Sequence, residues 1–291
     1  MVEPKRSDEW EAVRSLKALI QAGLDLGVPE AIRKAAQLQP FLSVLKGAKT
    51  PGATGVAESV TGFIQSVKED PQAMFQMAKE VWSRGGKKEK SFAAEAVGKG
   101  LGFLVPHKAL QTARELASMA RSGKEADLVG RSAIEPLLSA SPGLIDRVKQ
   151  LLQENEKLVR QAAITGLVYF VGRKRRYAAL GAEILLLLAE EHEKEIRDAV
   201  KWGLNKIREV DPKATAAAVA AWVKSNPSTE RINKAGGYLK AKAVDVKTAV
   251  ERGVLGVLAR FNGGARAAPK ANGTSAKKTE RPARRRTAAK R

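Results

Sequence analysis

The chain has 291 residues, of which 44% are hydrophobic, so it is long enough to bury a sizeable core. It contains no cysteine, which excludes disulfide bonds, cysteine-ligated zinc and thiolate catalysis. Lysine and arginine number 52 against 31 aspartate and glutamate residues, and this net charge of +21 indicates a polyanionic partner, with nucleic acid favoured over an anionic membrane surface.

Apolar periodicity and helix-start signals predict about fourteen helices, and they begin near the amino terminus. Ser7 is the predicted N-cap of the first helix. Pro29, Pro71 and Pro106 occupy first-turn positions of the second, fourth and sixth helices, where proline is well tolerated. A basic turn at residues 84–88 separates the fourth helix from the fifth.

The second half of the chain continues the same pattern. The seventh helix is predicted at about residues 125–139, with Pro136 as a kink, and the tenth at residues 178–191. Two final helices are predicted near residues 229–239 and 245–261. Strand-like alternation is essentially absent and aromatic residues are few, so the sequence predicts an all-α protein.

An internal repeat organises this helical pattern. Residues 159–167 return 37 residues later as residues 196–204, with matched arginine, alanine and glycine-leucine positions. Repetition at this interval is typical of stacked helix pairs. We therefore predict an α-solenoid of stacked antiparallel helix pairs with a basic concave face, and a helix bundle is the alternative.

The composition divides the chain into two predicted regions. Residues 1–263 are expected to form the repeat domain, and residues 264–291 a disordered basic tail with ten lysine or arginine residues and one glutamate. The start lacks an apolar signal segment, and the longest apolar run, residues 184–189, is far shorter than the ~20 residues that span a bilayer. We expect a cytoplasmic, nucleoid-associated monomer that does not enter membranes.

Basic residues recur within the repeats. Arg131 begins another arginine-x-alanine element, so Arg131, Arg160 and Arg197 are predicted to occupy equivalent positions on one surface that binds the DNA backbone. The alternative is that these charges form an ordinary solvated face. The loop after the first repeat copy adds four candidate backbone contacts: Arg173, Lys174, Arg175 and Arg176.

No phosphate-binding glycine loop, HExxH motif or other strong catalytic motif is present, and we expect neither a metal nor a cofactor. The segment from Asp127 to Val223 nevertheless resembles the DNA alkylation repair family of AlkD-like DNA glycosylases, which are HEAT-like repeat α-solenoids. The resemblance lies in Pro-Gly-Leu-Ile at residues 142–145, Arg-Gln-Ala-Ala-Ile at residues 160–164, and residues 196–204 followed by Asp-Pro at 211–212.

This resemblance implies a glycosylase that hydrolyses the N-glycosidic bond of cationic N3- or N7-alkylated purines in double-stranded DNA, gripping the backbone without flipping the base. In that family a carboxylate, an arginine and two tryptophans cradle the deoxyribose of the lesion. Asp127 falls at the catalytic aspartate and Trp202 at the second tryptophan. Gly123 stands at the first tryptophan and Gln161 at the arginine, with Arg160 adjacent. The resemblance thus implies that Trp202, Arg160 and Gln161 contact the lesion or its sugar.

Two other functions fit the same residues. The glycine at position 123 favours a non-catalytic HEAT-like module that binds damaged or branched DNA by shape, and a protein-binding scaffold with an incidental basic tail is the third candidate. Asp127 could also be a carboxylate that stabilises a helix amino terminus, and Trp202 could be an ordinary packing residue between helix pairs.

Overall fold

The computed structural model describes residues 4–47, 55–225 and 227–240, together with Lys247. These described residues form helices and connecting turns, with no strand among them. The first four helices are α1 (Pro4–Asp25), α2 (Pro29–Gly47), α3 (Val56–Glu69) and α4 (Pro71–Arg84). Helix α5 comprises Lys87–Glu95, a π-helical turn at Ala96–Leu101, and Gly102–Leu104.

Eight further helices, α6 to α13, are separated by short connections and follow in the described residues. Helix α6 is Pro106–Ser118, and α7 comprises Gly123–Val129, a π-helical turn at Gly130–Ile134, and Glu135–Ala140. A 3₁₀ turn at Pro142–Leu144 leads into α8 (Ile145–Leu151), and a second at Arg175–Tyr177 follows α9 (Lys157–Arg173). The remaining helices are α10 (Ala178–Leu186), α11 (Lys194–Val210), α12 (Pro212–Ser225) and α13 (Thr229–Leu239). No helix in the described ranges is long and apolar enough to span a membrane.

The helices stack in two layers, which confirms the predicted all-α, solenoid-like architecture. Helices α1, α5, α7, α9 and α11 pack side by side in one layer, and α13 continues it against α11. Helices α4, α6, α8, α10 and α12 pack against this first layer and form the second. The two repeat copies lie on α9 and α11, which pack against each other. The repeat therefore marks consecutive members of the first layer.

The helix starts follow the sequence signals, with one correction. Pro29, Pro71 and Pro106 begin helices as predicted, because the missing proline N–H is not needed in a first turn. The prediction that Ser7 caps α1 is wrong, since α1 already begins at Pro4. Ser122 is the N-cap of α7, and its Oγ accepts a hydrogen bond from the Glu125 N–H.

The predicted kink at Pro136 takes a different form. Pro136 lies in the first turn of the α-helical part that follows the π turn of α7, so the irregularity is the π turn itself, at Gly130–Ile134. The helix predicted at residues 245–261 and the tail at residues 264–291 lie outside the described residues, apart from Lys247.

Both π turns lie where neighbouring helices of the first layer touch. A Cβ on Gly98 would lie 2.4 Å from the carbonyl oxygen of Ser132, and one on Gly130 would lie 2.6 Å from the carbonyl oxygen of Ala162. Only glycine permits such approaches between backbones. The close crossing of α7 and α9 at Gly130 fixes the distance between the side chains that follow on those two helices.

Candidate active site

A cleft of about 760 Å³ opens along the first layer of helices. The turn between α4 and α5, the start of α5, the first half of α7, and α9 and α11 all contribute side chains to it. The lining residues are Gly85, Gly86, Lys87, Lys90, Ser122, Lys124, Glu125, Asp127, Leu128, Arg131, Thr165, Tyr169 and Trp202. Of the predicted site residues, the cleft brings together Asp127, Arg131 and Trp202.

Asp127 is held from one side by two neutral donors. Its Oδ1 accepts a hydrogen bond from Thr165 Oγ1 at 2.7 Å and another from Gln161 Nε2 at 3.2 Å. Within the described part of the chain, no donor reaches Oδ2. Neutral donors orient a carboxylate without forming an ion pair with it, so the half-buried Asp127 keeps one oxygen available to a ligand.

Gly123 and Gln161 are coupled in space. Gln161 Nε2 donates a second hydrogen bond to the carbonyl oxygen of Gly123, at 3.2 Å. A Cβ added to Gly123 would lie 2.8 Å from that same nitrogen and 3.0 Å from Gln161 Oε1. The amide of Gln161 therefore occupies the space that a side chain at position 123 would need. The two departures from the family pattern form one local arrangement.

The aromatic side of the cleft consists of Tyr169 and Trp202. Their ring centroids are 6.3 Å apart with an angle of 46° between the planes, and the two residues are 42% and 37% exposed. The Arg131 guanidinium lies over the Tyr169 ring, 6.0 Å from its centroid. Large aromatic side chains that remain exposed inside a cleft are available for a ligand.

Positive charge surrounds this arrangement. Lys87, Lys124 and Arg131 line the cleft without a carboxylate partner among the residues described. Lys90 is different: it is buried and its Nζ lies 2.7 Å from Glu125 Oε1. Burial acts to raise the pKa of Glu125, but the hydrogen bonds from Lys90 and the Arg121 N–H lower it overall, so this pair is internally neutralised. The unpaired cations are suited to phosphate groups.

The structure does not bring Arg131, Arg160 and Arg197 onto one surface, and this prediction is corrected. Successive helix residues are about 100° apart, so Arg160 faces away from the cleft where its neighbour Gln161 faces Asp127. Arg160 is buried and pairs with Glu191 and Glu193. Its expected contact with the lesion is therefore not available in this arrangement.

Replacement of Arg160 by methionine tests this placement. Because Glu191 and Glu193 remain partly exposed and can be rehydrated, we expect a loss of about 1–2 kcal/mol in the free energy of unfolding, measured by urea denaturation. Any activity in the cleft should change less than twofold under conditions where the variant is folded. A large loss of activity at full stability would instead place Arg160 in the site.

The other predicted backbone contacts lie outside the cleft lining. Arg197 is exposed and donates to the His192 carbonyl oxygen. At the end of α9 and in the turn that follows it, Arg173 pairs with buried Glu135 and Arg175 pairs with Asp211. The other two residues of this loop are also exposed: Lys174 and Arg176. Contact of this loop with DNA stays a prediction.

Sequence reasoning missed Tyr169 and the lysines of the cleft, Lys87, Lys90 and Lys124. Helical spacing could have identified Tyr169. Gln161, Thr165 and Tyr169 are four residues apart in succession on α9, so they share one face of the helix. The lysines carried no such signal, because only the folded chain brings α5 next to α7.

The fold and the cleft together define an α-helical repeat protein with one carboxylate held inside a cationic, partly aromatic groove. The chain matches the DNA alkylation repair enzyme family over residues 34–239, and it belongs to that family. No curated protein and no solved structure gave a match. Family membership supports a role in DNA repair, with DNA as the substrate.

Proposed function

We propose that this protein is a DNA glycosylase that hydrolyses the N-glycosidic bond of cationic N3- or N7-alkylated purines in double-stranded DNA. The observation that carries the proposal is the arrangement at Asp127, whose Oδ1 is fixed by Thr165 and Gln161 while its Oδ2 stays available in the cleft. Membership of the DNA alkylation repair enzyme family supports the substrate class.

The reaction requires few catalytic groups from the protein. An alkylated purine that carries a positive charge departs with the electron pair of its bond to C1′, and it leaves as a neutral base. The sugar then carries positive charge, which a nearby carboxylate stabilises. Water adds to C1′ and loses a proton, which completes the hydrolysis. Asp127 is the group proposed to stabilise the sugar cation, and Trp202 is proposed to contact the lesion nucleotide, since an indole face attracts cations.

The cations of the cleft would hold the DNA by its backbone. Lys87, Lys124 and Arg131 have no carboxylate partner in the described ranges, so their charge is available to phosphates on either side of the target. The tail at residues 264–291 would add sequence-neutral attraction and a steeper salt dependence. The proposed enzyme works as a monomer, without a metal or cofactor.

A base-release assay tests this function directly. Duplex DNA containing 7-methylguanine or 3-methyladenine is incubated with the protein, and free base is measured by chromatography in single-turnover conditions. We expect release well above the spontaneous rate. Release no faster than that of the Asp127→Asn variant would refute the glycosylase.

A second candidate is a non-catalytic module that binds damaged DNA. The observation that favours it is the Gly123–Gln161 arrangement, which among the described residues places an amide, and no aromatic side chain, on that side of Asp127. This candidate predicts tighter binding to alkylated than to unmodified duplex with no release of base.

Thr165 is expected to act as a positioning residue for Asp127. The Thr165→Val variant keeps the shape but loses the 2.7 Å hydrogen bond, so the carboxylate is free to rotate away from the sugar. We expect the single-turnover rate of base release to fall about tenfold, while the Kd for DNA changes less than twofold. Thr165→Ser restores the hydroxyl and should recover most of the rate. Equal losses in both variants would show a packing role instead.

A further inference from the structure

Arg131 and Tyr169 form a distinct part of the cleft, one helical turn beyond Asp127. Arg131 follows Asp127 by four residues on α7, and Tyr169 follows Thr165 by four residues on α9. Thr165 binds Asp127, whereas the Tyr169 ring contacts Trp202 and Arg131. Four residues of a helix advance by about 6 Å, which displaces this pair along the groove from the carboxylate.

The pair combines two kinds of recognition. The Arg131 guanidinium lies over the tyrosine ring and, within the described chain, has no ion-pair partner. An arginine stacked on an aromatic ring keeps its N–H groups at the edge, where they can bind a phosphate. Tyr169 is 42% exposed, and its ring lies between Trp202 and the Arg131 guanidinium. An apolar ring beside a cation matches a sugar joined to a phosphate.

We propose that Arg131 and Tyr169 form a subsite for the nucleotide next to the lesion, in which the guanidinium binds the intervening phosphate and the tyrosine ring packs against the neighbouring deoxyribose. The subsite rests on the proposed function, because that function places the lesion at Asp127. The sugar is favoured over the base, since a stacked duplex exposes sugars and phosphates but not the faces of its bases. Trp202 borders both positions.

The test uses the full-length protein and a duplex with one fixed target. The duplex carries 2′-fluoro-7-methyl-2′-deoxyguanosine, whose fluorine slows base loss because it destabilises the sugar cation. A neutral methylphosphonate replaces the flanking phosphates one at a time, and the Kd is measured by fluorescence anisotropy. For the wild type we expect one flanking linkage to weaken binding about tenfold when neutralised, which corresponds to about 1.4 kcal/mol.

The variants assign that effect to side chains. In Arg131→Met the same methylphosphonate should cost less than twofold, because the charge that bound this phosphate is gone. Lys149→Met removes an exposed positive charge outside the cleft lining and should leave the methylphosphonate effect intact. Tyr169→Ala is expected to weaken binding about fivefold and Tyr169→Phe to preserve it, since the ring and not the hydroxyl makes the contact. Arg131 and Tyr169 are exposed, so these substitutions should leave the thermal melting curve unchanged.

Several outcomes would overturn the subsite. If the losses of affinity from Arg131→Met and from the methylphosphonate multiply at every flanking linkage, Arg131 binds none of these phosphates. If an abasic neighbour weakens binding as much as Tyr169→Ala does, the ring contacts a base instead of a sugar. Base release from the non-fluorinated duplex is measured in parallel. If the base is released but the losses from Arg131→Met and from the methylphosphonate multiply, the subsite is refuted and the glycosylase is not. If those two losses are coupled but no base is released, the glycosylase is refuted and the subsite is not.

Discussion

Asp127→Asn is expected to reduce the single-turnover rate of base release from 7-methylguanine DNA by about 10²–10³-fold. Asparagine preserves the size of the side chain, and its Oδ1 can still accept from Thr165 and Gln161, so the cleft should keep its shape. The change removes the negative charge that would stabilise the sugar cation. The Kd for DNA should stay equal or decrease, because a group that repels phosphates is lost.

A matched control is available on α11. The 37-residue repeat places Asp198 at the position of Gln161, and Asp198 is exposed and lies outside the cleft lining. Asp198→Asn makes the same change of charge and should retain full base release. Equal effects of the two substitutions would show that the overall charge matters and that Asp127 has no special role. The comparison therefore separates a site effect from a general electrostatic one.

The fold could be predicted largely from the sequence because its signals are local. Prolines mark helix starts, and the apolar spacing in Met74, Met77 and Val81 gives the buried face of α4. The 37-residue repeat identifies α9 and α11 as successive helices of one layer. The π turns could not be predicted, because they depend on the approach of Gly98 and Gly130 to backbones distant in sequence.

The site could be predicted only in part, since it depends on how helix faces align between repeats. Asp127 and Trp202 came from the resemblance, and the structure places both in one cleft. The prediction that the repeat arginines share one surface was wrong. Arg131 shares the cleft with Thr165, whereas Arg160 pairs with acidic residues elsewhere. A motif match in sequence does not determine which face a residue occupies when one helix contains a π turn.

The same geometry changes the meaning of the missing tryptophan at Gly123. In the sequence, this glycine replaces a tryptophan of the family pattern. In the fold, Gln161 occupies the adjacent space, and an exposed tyrosine lies beside Trp202 on the other side of Thr165. The aromatic surface of the cleft is therefore found further along α9, with Arg131 stacked on it. This displacement is the physical basis for assigning a second nucleotide contact to this chain.

Gly98→Ala is expected to lower the free energy of unfolding by about 2–3 kcal/mol, because it adds a methyl group where α5 meets α7. The new Cβ would lie 2.4 Å from the Ser132 carbonyl oxygen and 2.7 Å from the Ala133 Cα. These are backbone atoms, which cannot rotate away, so the two helices must separate. For a protein of this size we expect the Tm to fall by roughly 5–10 °C, measured by calorimetry together with urea denaturation.

Gly172→Ala provides the opposite expectation from the same substitution. Gly172 lies near the end of α9 and its Cβ would meet nothing within 4 Å, so the higher helix propensity of alanine should stabilise the protein by about 0.5–1 kcal/mol. The same propensity gain applies at Gly98, but the clash with a neighbouring backbone exceeds it. The sign of the change in the free energy of unfolding therefore distinguishes a steric clash with a neighbouring helix from the gain in helix propensity. A Gly98→Ala variant as stable as the wild type would mean that α5 and α7 lie further apart than described. The result therefore also tests the position of α7, the helix that carries Asp127.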